Sequence, residues 1–206
     1  MLLWAGAVLV LLGIACLAID RPAAHYFYDH VTGRFHRLLD RTTHWAKAGH
    51  WLIAATIAYA AAQLAMHFRA GDAALHLVAK TSLAFVLILG AGSAILHVIK
   101  LVWGRRRPRD DMEMGLYGFV PFAFDTQYNS FPSGHALTIM CVAVIATCLR
   151  PDLAALWFAI ALWLGLTRAF LTAHFLSDVF VGAGIGLLAA RETLLCVYPH
   201  FAPAWF

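Results

Sequence analysis

Residues 74–101 read ALHLVAKTSLAFVLILGAGSAILHVIKL, and Lys80 and Lys100 are the only formally charged side chains among them. At 1.5 Å per residue a helix of this length exceeds the ~30 Å hydrocarbon core of a bilayer, which ~20 residues suffice to cross. The stretch therefore reads as a membrane helix that tilts or projects past the lipid. Five further apolar stretches flank it, roughly 2–19, 50–68, 134–149, 153–173 and 176–198. The fourth in chain order, 134–149, is short. Backbone in lipid must satisfy its own hydrogen bonds, so helices are the expected form. The expected fold is all-α: a polytopic membrane protein with six transmembrane helices in one bundle, a single domain over residues 1–206.

The composition agrees. Of 206 residues, 62% are hydrophobic and 13% charged, against about 25% charged in an ordinary soluble domain. Mean hydropathy is +0.75. The basic residues sit beside apolar stretches rather than along a soluble face, so nucleic acid is not an expected partner. Cys16, Cys141, Cys148 and Cys196 all fall inside apolar stretches with no CxxC spacing and no nearby ligand set, and read as small buried side chains. The opening MLLWAGAVLVLLGIACLAID lacks a basic leading segment and reads as a retained first helix, not a cleaved signal.

Two connections are long. Residues 20–49, with His25, His30, His36 and His44 and with His50 just past them, fit an amphipathic segment at the membrane interface. No spacing there matches a zinc pattern. Residues 104–133 are polar and turn-rich, while the connections near Arg69–Ala73 and Arg150–Asp152 are short. With six spans, both long connections and the junction near Thr172–Ser177 face one side.

Three polar segments converge on that side. The first, KLVWGRRRP, runs from Lys100 to Pro108. Cations at helix ends often just snorkel to the interface. Four in eight positions before a proline also suit phosphate, which Arg binds as a planar fork and Lys as a point charge. The second, NSFPSGHALTIM (129–140), opens an apolar helix. Pro132 and Ser133 suit a helix start on any reading. Gly134 leaves room for a ligand, the first N–H groups of the helix attract anions, and His135 exchanges protons near neutral pH. The third, TRAFLTAHFLSD, runs from Thr167 to Asp178. Arg168 lies deep enough to need a partner. If the sixth helix begins near His174, then His174 and Asp178 share a face, and the carboxylate fixes the imidazole tautomer. The residues supply cations, two imidazoles and no plausible metal cage. That inventory fits metal-free transfer of an anionic group.

Lys100-x6-Arg107-Pro108, then Pro132-Ser133-Gly134-His135, then Arg168-x5-His174-x3-Asp178, in that order, resembles the type 2 phosphatidic acid phosphatase superfamily, which includes glucose-6-phosphatase and vanadium haloperoxidases. The motifs span about eighty residues and are specific as an ordered set. One position departs: the third motif usually begins Ser-Arg and here begins Thr167-Arg168. The resemblance implies six membrane helices and a phosphohistidine mechanism without a cofactor. His174 would attack phosphorus, Asp178 would orient it, and His135 would protonate the leaving group and later activate water. Lys100, Arg107, Arg168, Ser133 and Gly134 would bind the phosphoryl oxygens.

A catalytic mouth at the interface suits an amphiphilic substrate among membrane lipids: a polyprenyl diphosphate, phosphatidic acid, phosphatidylglycerol phosphate or a lipid A phosphate. The resemblance implies a bacterial inner-membrane enzyme with a periplasmic site. The charge count points the other way, with eleven Lys and Arg on the long-loop side and four on the other, a bias that marks cytoplasmic loops. Cations kept for substrate do not report topology, so the periplasmic side is expected here. A vanadate-dependent haloperoxidase and a non-enzymatic lipid binder or transporter are the competing readings.

Overall fold

The computed structural model describes residues 1–206 as nine α-helices with no strand: α1 Leu2–Cys16, α2 Asp20–His30, α3 Gly33–Thr43, α4 Ala48–Phe68, α5 Ala73–Trp103, α6 Pro108–Met114, α7 Gly134–Leu149, α8 Ala154–Phe170 and α9 Leu176–Val197. Local chemistry sets several of the ends. Asp72 caps α5, its Oδ1 accepting the Ala74 N–H at 2.9 Å. Pro108 opens α6 and Gly115, left-handed at φ 68°, closes it. All four cysteines are free.

Four helical stretches are long and apolar enough to cross a membrane: Gly33–Phe68, Ala73–Trp103, Pro151–Phe170 and Leu176–Val197. The expected six are not reached on that measure, for two local reasons. The apolar run 2–19 breaks after Cys16, and α2 leaves at 83° to α1, so the two qualify only as one bent pair. The break lets Asp20 turn inward, where it is fully buried. Helix α7 has 16 residues, about 24 Å long, bounded by Ser133 and by Arg150-Pro151. Segment 20–49 holds α2, α3 and the start of α4. Helix α3 continues into α4 within one 36-residue stretch and packs against α8, burying Leu39 and Thr43, four residues apart on one face.

The core centres on α9, which packs against α1, α5, α7 and α8. Small residues allow the close approach. A Cβ on Gly184 would lie 2.8 Å from the Gly6 carbonyl of α1, and one on Gly186 would lie 2.7 Å from the Leu137 carbonyl of α7. Outward-facing Trp4, Leu11, Ile57, Leu64 and Val98 are exposed. Large apolar side chains spread over the outside of a bundle suit lipid, not water.

The long helices run alternately between two ends. At one end the Met1 amino group donates to the Trp205 carbonyl at 2.8 Å, beside the short α4–α5 and α7–α8 turns. At the other end lie the α1–α2 corner, residues 104–133 and the α8–α9 turn. The three polar segments therefore meet at one end.

Candidate active site

Helix α8 delivers Arg168 and then stops. The Arg168 carbonyl accepts both the Ala173 and His174 N–H groups, at 3.0 and 3.1 Å, and Thr172 takes a left-handed φ of 51° to close the turn. Arg168 and His174 are thus fixed by one backbone motif. Helix α9 starts at Leu176, so His174 stands before it and not on it. The shared helical face expected from the spacing is not what joins the pair. Asp178, third in α9, folds back over the helix start and accepts the Phe175 N–H at 2.9 Å on Oδ2. The same oxygen lies 3.5 Å from His174 Nδ1. That is ion-pair distance, and Nδ1 has no hydrogen-bond partner.

Asp178 is fully buried. Its Oδ2 also accepts from Ser130 Oγ at 2.5 Å, and its Oδ1 accepts from Arg105 Nη1 at 2.7 Å. Arg105 is one residue that the sequence reading did not single out. Its side chain is 0% exposed, with the guanidinium 4.0 Å over the Phe175 ring and 4.7 Å over Phe119. Backbone bonds on both sides pin it: its N–H donates to the Tyr128 carbonyl at 2.7 Å and its carbonyl accepts from the Ser130 N–H at 3.0 Å. Lying inside an Arg-Arg-Arg run, it gave no signal separating it from its neighbours. Asp20, also missed, accepts from Arg105 Nη2 at 2.9 Å. Its one signal was a carboxylate closing an apolar run.

The second segment docks directly on this assembly. The Ser133 N–H donates to the Asp178 carbonyl at 2.9 Å. Ser133 is fully buried, and its Oγ has no partner. No atom lies within 4 Å of where a Gly134 Cβ would stand, so the start of α7 is open beside His135. Arg168, His174, Lys47 and Arg107 are all within electrostatic reach of His135, and Lys100 is within reach of Asp178 and Arg107. All eight residues singled out in the sequence therefore gather at one end of the bundle. Lys47, just before α4, joins them without having been singled out.

The cations divide into two groups. Arg105, Arg106 and Arg109 pair with carboxylates. Lys100, Arg107 and Arg168 form no ion pair within 4.0 Å. Lys100 donates to the Asn129 carbonyl. Arg168 donates to Thr43 Oγ1 at 3.2 Å, while its buried Nε has no partner. Burial, and next the charge of Arg109, lowers the pKa of Arg107. Burial opposes the Arg105 charge too, but Asp178 and Asp20 outweigh it and raise that pKa. Burial pushes the His174 imidazole down to about 4, against the opposing pull of Asp178. The ring is therefore neutral at pH 7, the form that has a free lone pair for attack.

The chain is similar to known proteins in sequence and in fold. Over 92 residues, 45% of the chain, the sequence is 35% identical to proteins named lipid A 1-phosphatase from Rhizobium johnstonii and Rhizobium etli. The match covers 38% and 40% of their lengths, so the chain spans well under half of these relatives. The fold is similar to the crystal structure of the first transmembrane PAP2 type phosphatidylglycerolphosphate phosphatase from Bacillus subtilis, at 20% identity and a TM-score of 0.62, covering 92% of this chain and 94% of that one. It is also similar to the crystal structure of Aquifex aeolicus LpxE, at 16% identity and a TM-score of 0.58, covering 85% and 94%. At these identities the two structures speak for the fold alone. The PAP2 superfamily model matches residues 81–202, which include every motif residue above, and this chain belongs to that superfamily.

Proposed function

We propose that this chain is a membrane lipid phosphatase working through a phosphohistidine on His174. The carrying observation is the division of the cations. Lys100, Arg107 and Arg168 have no carboxylate partner, while the arginines interleaved with them do. Desolvated, unpaired cations are costly unless an anion completes them. A phosphoryl group does so, aided by the orphaned Ser133 hydroxyl and the Gly134 amide.

His174 Nε2 attacks phosphorus and the bond to the leaving oxygen breaks, with His135 donating a proton to that oxygen. Water then attacks the phosphohistidine while His135 takes its proton. The P–N bond breaks, releasing inorganic phosphate and restoring His174. Asp178 holds the ring through Nδ1. Phosphoryl transfer depends mainly on positioning and charge stabilisation, and side chains supply both without a resident metal.

The substrate is an amphiphile. An apolar groove of about 540 Å³ runs between α7 and α8, past Trp51, Val142 and Trp157, and reaches Thr42. Thr42 adjoins Thr43, which holds Arg168, so an acyl chain in the groove would bring its phosphate to the cations. The names of the Rhizobium relatives put a glycolipid 1-phosphate first among the candidates, ahead of phosphatidic acid, phosphatidylglycerol phosphate and polyprenyl diphosphates.

We also propose a single domain in which α1, α4, α5, α7, α8 and α9 all cross the bacterial inner membrane, with the site on the periplasmic side. The alternation of these helices between two ends supports six crossings. A reporter fused in the Arg69–Asp72 turn should then read cytoplasmic, and a periplasmic signal overturns that side.

The deciding experiment is phosphate release by purified protein from each lipid above and from a soluble sugar phosphate. Release from the lipids, inhibited by vanadate and insensitive to chelator, is expected. No release from any lipid, or halide oxidation with added vanadate, overturns the reading.

A further inference from the structure

Resting on that reading of His174 and Asp178, we propose that Asp20 and Arg105 are positioning residues that fix the Asp178 carboxylate and leave one net negative charge behind His174. Asp20 lies outside residues 81–202, the part that the family model matches.

The hydrogen bonds assign the charges. Asp20 Oδ1 accepts the Ser177 N–H at 2.9 Å. Its Oδ2 accepts from Arg105 Nη2 at 2.9 Å and from the Ser177 hydroxyl. That hydroxyl itself accepts from Arg105 Nη1 at 2.7 Å, so its own proton must point to Asp20. Every partner of Asp20 is a donor, which leaves no place for a carboxyl proton. Asp178 is likewise surrounded by donors: Arg105, Ser130 and the Phe175 amide. Two carboxylates thus share one guanidinium, and all three side chains are 0% exposed.

The second carboxylate has a purpose on this count. Arg105 alone beside Asp178 would cancel the charge that His174 faces. With Asp20 the sum is minus one. When Nε2 bonds to phosphorus the ring keeps its Nδ1 proton and turns cationic, and the remaining negative charge balances it. The other charges around the pair are Lys100 of α5, Arg107 at the start of α6, His135 of α7 and Arg168 of α8. None of these is an anion. Asp20 and Asp178 are therefore the anions next to the ring, while Asp110 and Asp40 act on Arg107 and Arg168 from farther out. Asp20 also ties the α1–α2 corner to the start of α9.

The test follows the His174 ring by NMR titration in detergent, assigned by its loss in a His174→Gln sample, alongside the pH profile of kcat/KM. Asp20→Asn keeps the shape and removes one anion. The protonated ring then loses support, so its midpoint and the acid limb of the profile should both move down by about one pH unit, a tenfold change in proton affinity. The double variant Asp20→Asn/Arg105→Gln restores the sum to minus one and should return the midpoint towards wild type. It also serves if Asp20→Asn alone fails to fold, because it carries the wild-type sum and its midpoint should then match that of wild type. An unchanged midpoint in folded Asp20→Asn overturns the proposal, and so does a double variant whose midpoint stays a unit below wild type. A purely structural role would alter yield and melting without moving the titration. Wild-type protein that releases no phosphate from lipid would count against the phosphatase reading, while the NMR midpoint would still decide the charge count.

Discussion

Gly182 of α9 lies so close to Ser133 that a Cβ on it would stand 2.3 Å from the Ser133 carbonyl oxygen. The neighbour is backbone at the start of α7, so no side chain can swing aside. Gly182→Ala should gain about 1 kcal/mol from helix propensity, but overpacking costs about 1–3 kcal/mol, and the clash falls on the turn that positions Ser133 and His135. The clash should win. The variant is expected to lose phosphatase turnover by about tenfold or more, since misplacement of 1 Å can cost 10². Wild-type turnover together with a higher melting temperature would show that α9 can move away freely.

The two histidines should fail in different ways. On the proposed mechanism His174→Ala removes the nucleophile, a loss of about 10⁶-fold in the best-studied hydrolase cases, and no acid-labile phosphoenzyme should form. On the same mechanism His135→Ala removes the general acid and base, worth about 10²–10⁴. With an aryl phosphate, whose leaving group needs little protonation, the first step survives while hydrolysis slows. Labelled phosphoenzyme should therefore accumulate in His135→Ala and be absent from His174→Ala. The opposite pattern would exchange the two roles.

Much of this site was legible in the chain. Lys100, Arg107, His135, Arg168, His174 and Asp178 stand out because polar groups at the edge of apolar helices are costly and therefore few. The ranges of α4, α5, α7 and α9 follow from predominantly apolar runs followed by Arg69, Gly104, Arg150-Pro151 and Tyr198-Pro199. The buried support was not legible. Arg105 differs from Arg106 only in the direction its side chain takes, which depends on strand-like pairing with Phe119 and Asn129 far along the chain. Asp20 marked the end of an apolar run, but nothing in one dimension said that it turns inward to Ser177. The His174–Asp178 spacing was read as one helical face, whereas the helix begins two residues after His174 and a capping contact brings the pair together.

Paired and unpaired arginines should respond differently to substitution. Arg168→Ala and Arg107→Ala each remove a cation that the proposed mechanism assigns to the phosphoryl group, and the loss of one such group typically costs about 10²–10³ in turnover. Lys at position 168 should rescue only part of this, because a point charge does not replace a fork. Arg109 is largely exposed and pairs with Asp110 at 3.6 Å, so Arg109→Gln should stay near wild type, as exposed pairs contribute little. Equal losses at positions 109 and 168 would mean that general positive charge, and not a built site, holds the substrate.

The buried His174 ring should make the protein sensitive to mild acid. Its ordinary pKa near 6.5 falls to about 4 in the fold because burial disfavours the charged ring, and the residue is 4% exposed. Between those two values the unfolded chain binds a proton that the folded chain does not, so stability declines as pH drops from 6.5 towards 4 and is flat for this group above 6.5. A shift of this size corresponds to roughly 3 kcal/mol at the acid end. His174→Gln abolishes that contribution. In detergent, wild-type protein should therefore lose more melting temperature between pH 7.5 and pH 4.5 than His174→Gln does. Parallel curves would mean that the ring titrates alike folded and unfolded, and a wild-type curve that falls less than that of His174→Gln would mean that the ring is already protonated in the fold. Asp178, at 3.5 Å, would then outweigh burial, and the attacking nitrogen would have to act from an imidazolium that must first shed its proton.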